Sequence, residues 1–190
     1  MRQLMMITGP IRSGKTAFCR TLFSILKQES LSPFSIIEEN TRDAAGIPIS
    51  LALRDQGTGE TIALGSRGEE GLALPGRPYA AFAFSQEAFR WADARIKAAV
   101  ARGCGPVLID EIGPLEANEK GGFFETLLWV MENGTYPLLV TIRPELTKAF
   151  EARLPPSVRD GVAGIFPLEA TSINRMLGTM SNDAFRHCQD

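Results

Sequence analysis

Eight consecutive residues near the start of the chain, Gly9-Pro10-Ile11-Arg12-Ser13-Gly14-Lys15-Thr16, restrict its fold more than any other feature. Two glycines, a lysine and a hydroxyl residue stand at the offsets of a Walker A phosphate loop. Such a loop needs a strand before it and a helix after it, and the flanking residues supply both. Leu4 to Thr8 is a short apolar run suited to a buried strand of a parallel sheet. From Lys15 to Glu29 the apolar residues Phe18, Leu22, Ile25 and Leu26 recur at helical spacing, with Lys27, Gln28 and Glu29 as the polar end. Gly9 and Gly14 permit the backbone to turn amide N–H groups inward, and the helix offers its positive N-terminal end to an anion. The cradle runs from Gly9 to Thr16 and on to Ala17. Within it Lys15 can reach β- and γ-phosphate oxygens, and the Thr16 hydroxyl can ligate Mg²⁺.

The rest of the chain alternates strand and helix. Pro33 marks a turn and Phe34 to Ile37 reads as the second strand. From Gly46 to Arg67, Ile47, Ile49, Leu51 and Leu53 alternate, Gly57-Thr58-Gly59 turns, and Thr61 to Leu64 continues extended, which predicts a β-hairpin. Gly65 to Arg77, with four glycines, Arg67 and Glu69-Glu70, reads as a mobile loop beside the ligand. An amphipathic helix is expected over Ser85 to Arg102, capped by Ser85 and stopped by Gly103. Val107 to Ile109 and Leu138 to Ile142 read as buried strands. Helices are expected at Phe123 to Met131, Pro144 to Arg153 and Ile173 to Phe185, and a short strand at Gly164 to Pro167. The pattern predicts one domain over residues 1–190, a three-layer α/β P-loop fold with a mostly parallel sheet and a local antiparallel hairpin.

Val107-Leu108-Ile109 delivers two carboxylates, Asp110 and Glu111, at its C-terminal end, which is where ligands sit in a parallel α/β sheet. Asp110 is placed to hold the Mg²⁺ shell as the Walker B acid, and Glu111 to polarise an attacking water. The expected cofactor is Mg²⁺ and the expected partner a nucleoside triphosphate.

With these residues in hand the chain resembles a known family. Gly9 to Thr16, followed by Asp110-Glu111-Ile112-Gly113-Pro114-Leu115-Glu116, is similar to the small nucleoside-triphosphatase family related to the human cancer-related nucleoside triphosphatase. The order of the acidic pair Glu38-Glu39, the hairpin, Arg67 and Val140-Thr141-Ile142-Arg143-Pro144 agrees as well. The resemblance implies Mg²⁺-dependent hydrolysis of ATP, GTP and other triphosphates to the diphosphate, with loose base selectivity. In P-loop branches that hydrolyse nucleotides, which the Asp-Glu pair resembles, a polar residue at the end of a neighbouring strand senses the γ-phosphate or positions the water. Thr141 is the matching residue here, and a threonine facing the core is the competing assignment. Arg12, Arg42, Arg67 and Arg143 can each clamp the γ-phosphate or simply lie on the surface, with Arg67 and Arg143 favoured by where the resemblance places them. The chain departs from the family at Arg12, where a small residue is usual, in Glu39 to Ser50, which lacks a Gly-Phe pair, and in Ala117 to Gly122.

Composition narrows the alternatives. A formal net charge of -2 gives no broad basic field, so a sequence-independent grip on nucleic acid is not expected. Cys19, Cys104 and Cys188, odd in number and far apart, form neither a disulfide framework nor a zinc site, and Cys19 and Cys104 read as buried reduced thiols of a cytosolic protein. The run from Leu4 to Ile7 is too brief for a signal or a membrane span. Trp91, Trp129, Phe82 and Phe84 read as packing residues and His187 as a tail residue. No Asn-Lys-x-Asp element follows the Walker B strand, which argues against strict guanine selectivity. A kinase passing the γ-phosphate to a metabolite, and a nucleotide-switched binding module, remain the other two readings of the same residues, and no protein partner follows from them.

Overall fold

A computed structural model describes residues 3–67, 82–119, 121–169 and 171–181. Along them run β1 (Leu4–Thr8), α1 (Lys15–Gln28), β2 (Phe34–Arg42), β3 (Pro48–Asp55), β4 (Thr61–Arg67), β5 (Phe82–Phe84) and α2 (Gln86–Ala101). Then follow β6 (Val107–Ile112), a π-helical turn (Leu115–Glu119), α3 (Phe124–Asn133), β7 (Leu138–Ile142), α4 (Pro144–Arg153), α5 (Pro156–Arg159), β8 (Val162–Pro167) and α6 (Ser172–Ser181).

Alternation along the central strands divides the core between two faces. Leu4, Met6, Val107, Ile109, Leu138 and Val140 pack in one cluster with Phe89, Ile96, Phe124, Val130 and Phe150, from α2, α3 and α4. Met5, Ile7, Leu108 and Leu139, the intervening residues, pack with Leu22, Leu26, Met176 and Met180 of α1 and α6 on the other face. The result is a three-layer α/β arrangement around an eight-stranded sheet of order β5-β4-β3-β2-β6-β7-β1-β8. β8, β1, β7, β6 and β2 are parallel, which places the ends of β1, β6 and β7 together.

The antiparallel part, β2 to β5, is larger than one hairpin. β2 continues past Ile37 because Glu38 to Arg42 pair with β3, from Glu38↔Leu53 to Arg42↔Pro48. This stretch is polar on both faces and carries no apolar alternation to mark it. β5 adds three residues, with Phe82 opposite Arg67. Residues 68–77 of the expected loop, 182–185 of the closing helix, His187 and Cys188 lie outside the described residues. Of the other two thiols Cys19 is buried, whereas Cys104 is only half-buried. Trp91 and Trp129 are partly buried against the core, and Phe84 is 39% exposed on β5.

Two local devices fix the wing. Asp55 Oδ1 accepts from the amides of Gly57 and Thr58 at 2.8 and 3.1 Å, shaping the β3–β4 turn. Its Oδ2 accepts from Arg95 Nη1 at 2.9 Å, and the Arg95 guanidinium lies 4.5 Å from the Trp91 ring, which ties the turn to α2.

Candidate functional site

The phosphate loop joins β1 to α1. An ideal Cβ at Gly9 would stand 2.5 Å from Ser13 Oγ and 3.3 Å from Leu168 Cβ, so a side chain there would displace the Ser13 hydroxyl from the closed loop. Gly14, at φ 96, is the N-cap of α1 and provides no capping side chain, which leaves the first amides of the helix for an anion. Ser13 Oγ is buried and has no hydrogen-bond partner. Lys15 is buried, and its Nζ donates to the carbonyls of Gly9 at 2.9 Å and Pro10 at 3.0 Å. An ammonium has three donors, so one remains for a phosphate oxygen. Ile11, 62% exposed, and Arg12 form the loop tip.

Asp110 is buried at the end of β6 between two hydroxyls. Thr16 Oγ1 donates to its Oδ2 at 2.6 Å and Thr141 Oγ1 to its Oδ1 at 2.7 Å. Thr141 is fully buried, and its hydroxyl also accepts from the Glu111 amide at 2.9 Å. The side chain faces the core, as the competing assignment has it, and there it bonds to Asp110 and to the Glu111 amide. Burial raises the Asp110 pKa, while the Thr16 and Thr141 bonds pull it down, Glu111 raises it and Lys15 lowers it.

A bulge sets Glu111 apart from Asp110. The β6–β7 register breaks between Ile109 and Ile112, and Glu111 takes φ 69, a left-handed conformation unusual for a residue with a Cβ. Its carboxylate is turned out of the ladder, with Arg143 Nε 3.9 Å from Oε1. That Nε is buried without a hydrogen bond, and Arg143 Nη1 lies 3.7 Å from Glu145.

Two further carboxylates belong to this end of the sheet. Glu38 follows the part of β2 that pairs with β6 (Ser35↔Leu108, Ile36↔Ile109). Burial and then the charges of Glu111, Asp110 and Glu116 push its pKa up to about 8, against the pull of Arg143. Its pattern, an acid directly after the apolar pair Ile36-Ile37 of a buried strand, is like the one that singles out Asp110, so the signal was present in the sequence. Glu116 is buried and accepts from the Gly113 and Phe123 amides, both at 2.9 Å, and so closes the segment after β6. Burial also raises its pKa, against those backbone bonds.

Lys15, Thr16, Asp110, Glu111 and Thr141 are thus brought together, with Ala17 in the first turn of α1. Arg67 is not brought to them. It lies exposed at the end of β4, and β3 and β2 stand between that strand and β6.

Thr16 and Asp110 offer only hard oxygen donors, which suits Mg²⁺. Among the described residues no group of three or more His, Cys, Asp or Glu can hold a metal, so Mg²⁺ here would need phosphate oxygens and water for the rest of its shell.

A mostly parallel α/β sheet whose first strand ends in a Gly9–Thr16 loop, with the carboxylate strand β6 one strand away across β7 and Asp110 bonded to Thr16, defines a P-loop nucleoside-triphosphatase fold. Residues 4–162 match the model of the NTPase family, and the chain belongs to that family. The solution structure of a human cancer-related nucleoside triphosphatase is similar, with a TM-score of 0.62 at 18% identity over 96% of each chain. The crystal structure of THEP1 from the hyperthermophile Aquifex aeolicus is similar at a TM-score of 0.53 and 18% identity, over 95% of this chain and 96% of that one. No curated protein matches the sequence.

Proposed function

We propose that the chain hydrolyses nucleoside triphosphates to diphosphate and phosphate, with Mg²⁺ and with loose selectivity for the base, in the cytosol. The continuous link from Thr16 through Asp110 and Thr141 to the Glu111 amide carries the reading, because it couples the phosphate loop to the candidate base. Lys15 uses its remaining donor on the β/γ oxygens, and the unpartnered Ser13 hydroxyl and the first α1 amides take other phosphate oxygens. Thr16 and Asp110 hold the metal, which when bound neutralises charge developing on the phosphates. Thr141 keeps Asp110 and Glu111 in register.

Glu111 accepts a proton from a water as the water oxygen bonds to the γ-phosphorus and the bond to the β–γ bridging oxygen breaks. Arg143 reaches the γ-phosphate from the Glu111 side, since its Nε has no hydrogen-bond partner and lies 3.9 Å from that carboxylate.

Glu111→Gln tests the assignment by keeping the shape and removing the base. Single-turnover phosphate release should fall about 10²-fold or more while analogue affinity is retained. Release at the parental rate would show that Glu111 is not the base and favour a kinase that leaks phosphate to water.

A further inference from the structure

Two arginines left unused by the reaction meet at the mouth of the loop. Arg12 Nη2 and Arg42 Nη1 donate to one acceptor, the Gly46 carbonyl, at 2.7 and 2.9 Å. One guanidinium comes from the phosphate loop and the other from the end of β2, and Gly46 lies in the β2–β3 turn. Among the described residues neither arginine forms an ion pair. Asp43, the acid nearest Arg42 in the chain, directs Oδ1 to the amides of Ala45 and Ile47. A neutral carbonyl does not offset two like charges, and it leaves most of their N–H donors open. Arg12 moreover holds φ 64, unfavourable for a side chain that gains only this contact.

The position suits the outer end of a triphosphate. β2 leaves β6 after Ile36↔Ile109 and runs on to Arg42 paired with β3 alone, so its turn projects past the end of β6, and Arg12 extends to it from the loop. We propose that Arg12 and Arg42 form a second phosphoryl subsite, which takes the terminal phosphate of a bound nucleoside triphosphate and so distinguishes triphosphate from diphosphate. This rests on the triphosphate reading above. Paired guanidiniums suit a doubly charged phosphoryl group because each presents a planar fork of charge-assisted donors. Gly46 gives up its two donors as they turn to the phosphate.

Calorimetry on the full chain with Mg²⁺ tests this, using a non-hydrolysable ATP analogue and ADP on the parent, Arg12→Ala and Arg42→Ala. Alanine retains a Cβ at Arg12, so the backbone cost is unchanged, and ADP binding reports that each variant is folded. Each variant should lose about tenfold or more for the triphosphate analogue and less than about twofold for ADP, with Arg42→Lys recovering only part. A triphosphate-to-diphosphate affinity ratio equal to the parent's in both alanine variants overturns the inference alone. A parent that binds neither nucleotide overturns the triphosphate reading and the subsite with it. Inorganic phosphate titrated onto the ADP-bound parent separates a free-phosphate site: arginine-dependent phosphate binding alongside arginine-independent triphosphate binding overturns the proposal.

Discussion

Partial burial at the strand end, and then the charges of Glu111, Asp110 and Glu116, favour the protonated form of Glu38. In the folded chain its pKa is pushed up to about 8 from an ordinary value of 4.5. Between those two values the native state binds more protons than the unfolded chain, so this residue's contribution to stability falls as pH rises from about 4.5 to 8 and levels off beyond. Without nucleotide or Mg²⁺, Glu38→Gln should match the parent in urea unfolding near pH 4. Above pH 8 the variant should be more stable by at least about 1 kcal/mol, well below the full value of the shift because the side chain is partly exposed. A variant no more stable than the parent above pH 8 would show that Glu38 is ionised there at no cost. At this scale the sequence disclosed the residues whose spacing is local, Gly9 to Thr16 and Asp110-Glu111. It did not disclose which carboxylate clamps backbone and which faces the pair, since Glu116 is defined by the amides of Gly113 and Phe123, and Glu38 by β6.

The segment after β6 shows how a short element depends on one carboxylate and one glycine. Glu116 sits in the π-helical turn, and a Cβ at Gly122, which has φ 58, would stand 1.9 Å from its Oε1. Gly122→Ala must therefore displace a buried carboxylate from two amides and strain the backbone, and the expected cost in urea unfolding is about 3 kcal/mol. An effect below about 0.5 kcal/mol would mean that the carboxylate moves aside freely. Asp55→Ala is the counterpart in the wing. It removes the buried partner of Arg95, which keeps only the exposed Glu60, and frees the β3–β4 turn, and a loss of about 1–3 kcal/mol is expected from the same measurement. Elements with strong periodicity, β1, α1, α2, β6 and β7, were legible because burial on one or both faces writes itself into alternating or helical apolar residues. The outer half of β2, the whole of β5 and the turn at Leu115–Glu119 were not. They are held by pairing with distant strands or by a side chain clamping backbone, and neither leaves a local period.

For the molecule as a whole, the ends of β1, β6 and β7 together with the start of α1 converge on one place, so occupancy of that place is coupled to the stability of the entire sheet. A ligand that binds only the folded chain stabilises it by RT ln(1 + [L]/Kd), about 2.7 kcal/mol at a hundredfold excess over Kd. For a chain of 190 residues that corresponds to a rise in Tm of about 5–10 °C. A non-hydrolysable ATP analogue with Mg²⁺ should give this rise, and Lys15→Ala should remove most of it, since Lys15 is the buried cation of the loop. Among the described residues the contacts proposed for the phosphates come from the loop, the α1 amides, the end of β6 and the arginines Arg12, Arg42 and Arg143, all directed at phosphate and none at a base. Analogues of GTP, CTP and UTP at the same concentration should therefore raise Tm to within about 2–4 °C of the ATP analogue, the equivalent of about 1 kcal/mol. Calorimetric melting across the four nucleotides measures this directly. A rise confined to one base would require a base pocket that supplies a large share of the binding energy, and the loose selectivity proposed for this chain would then be wrong.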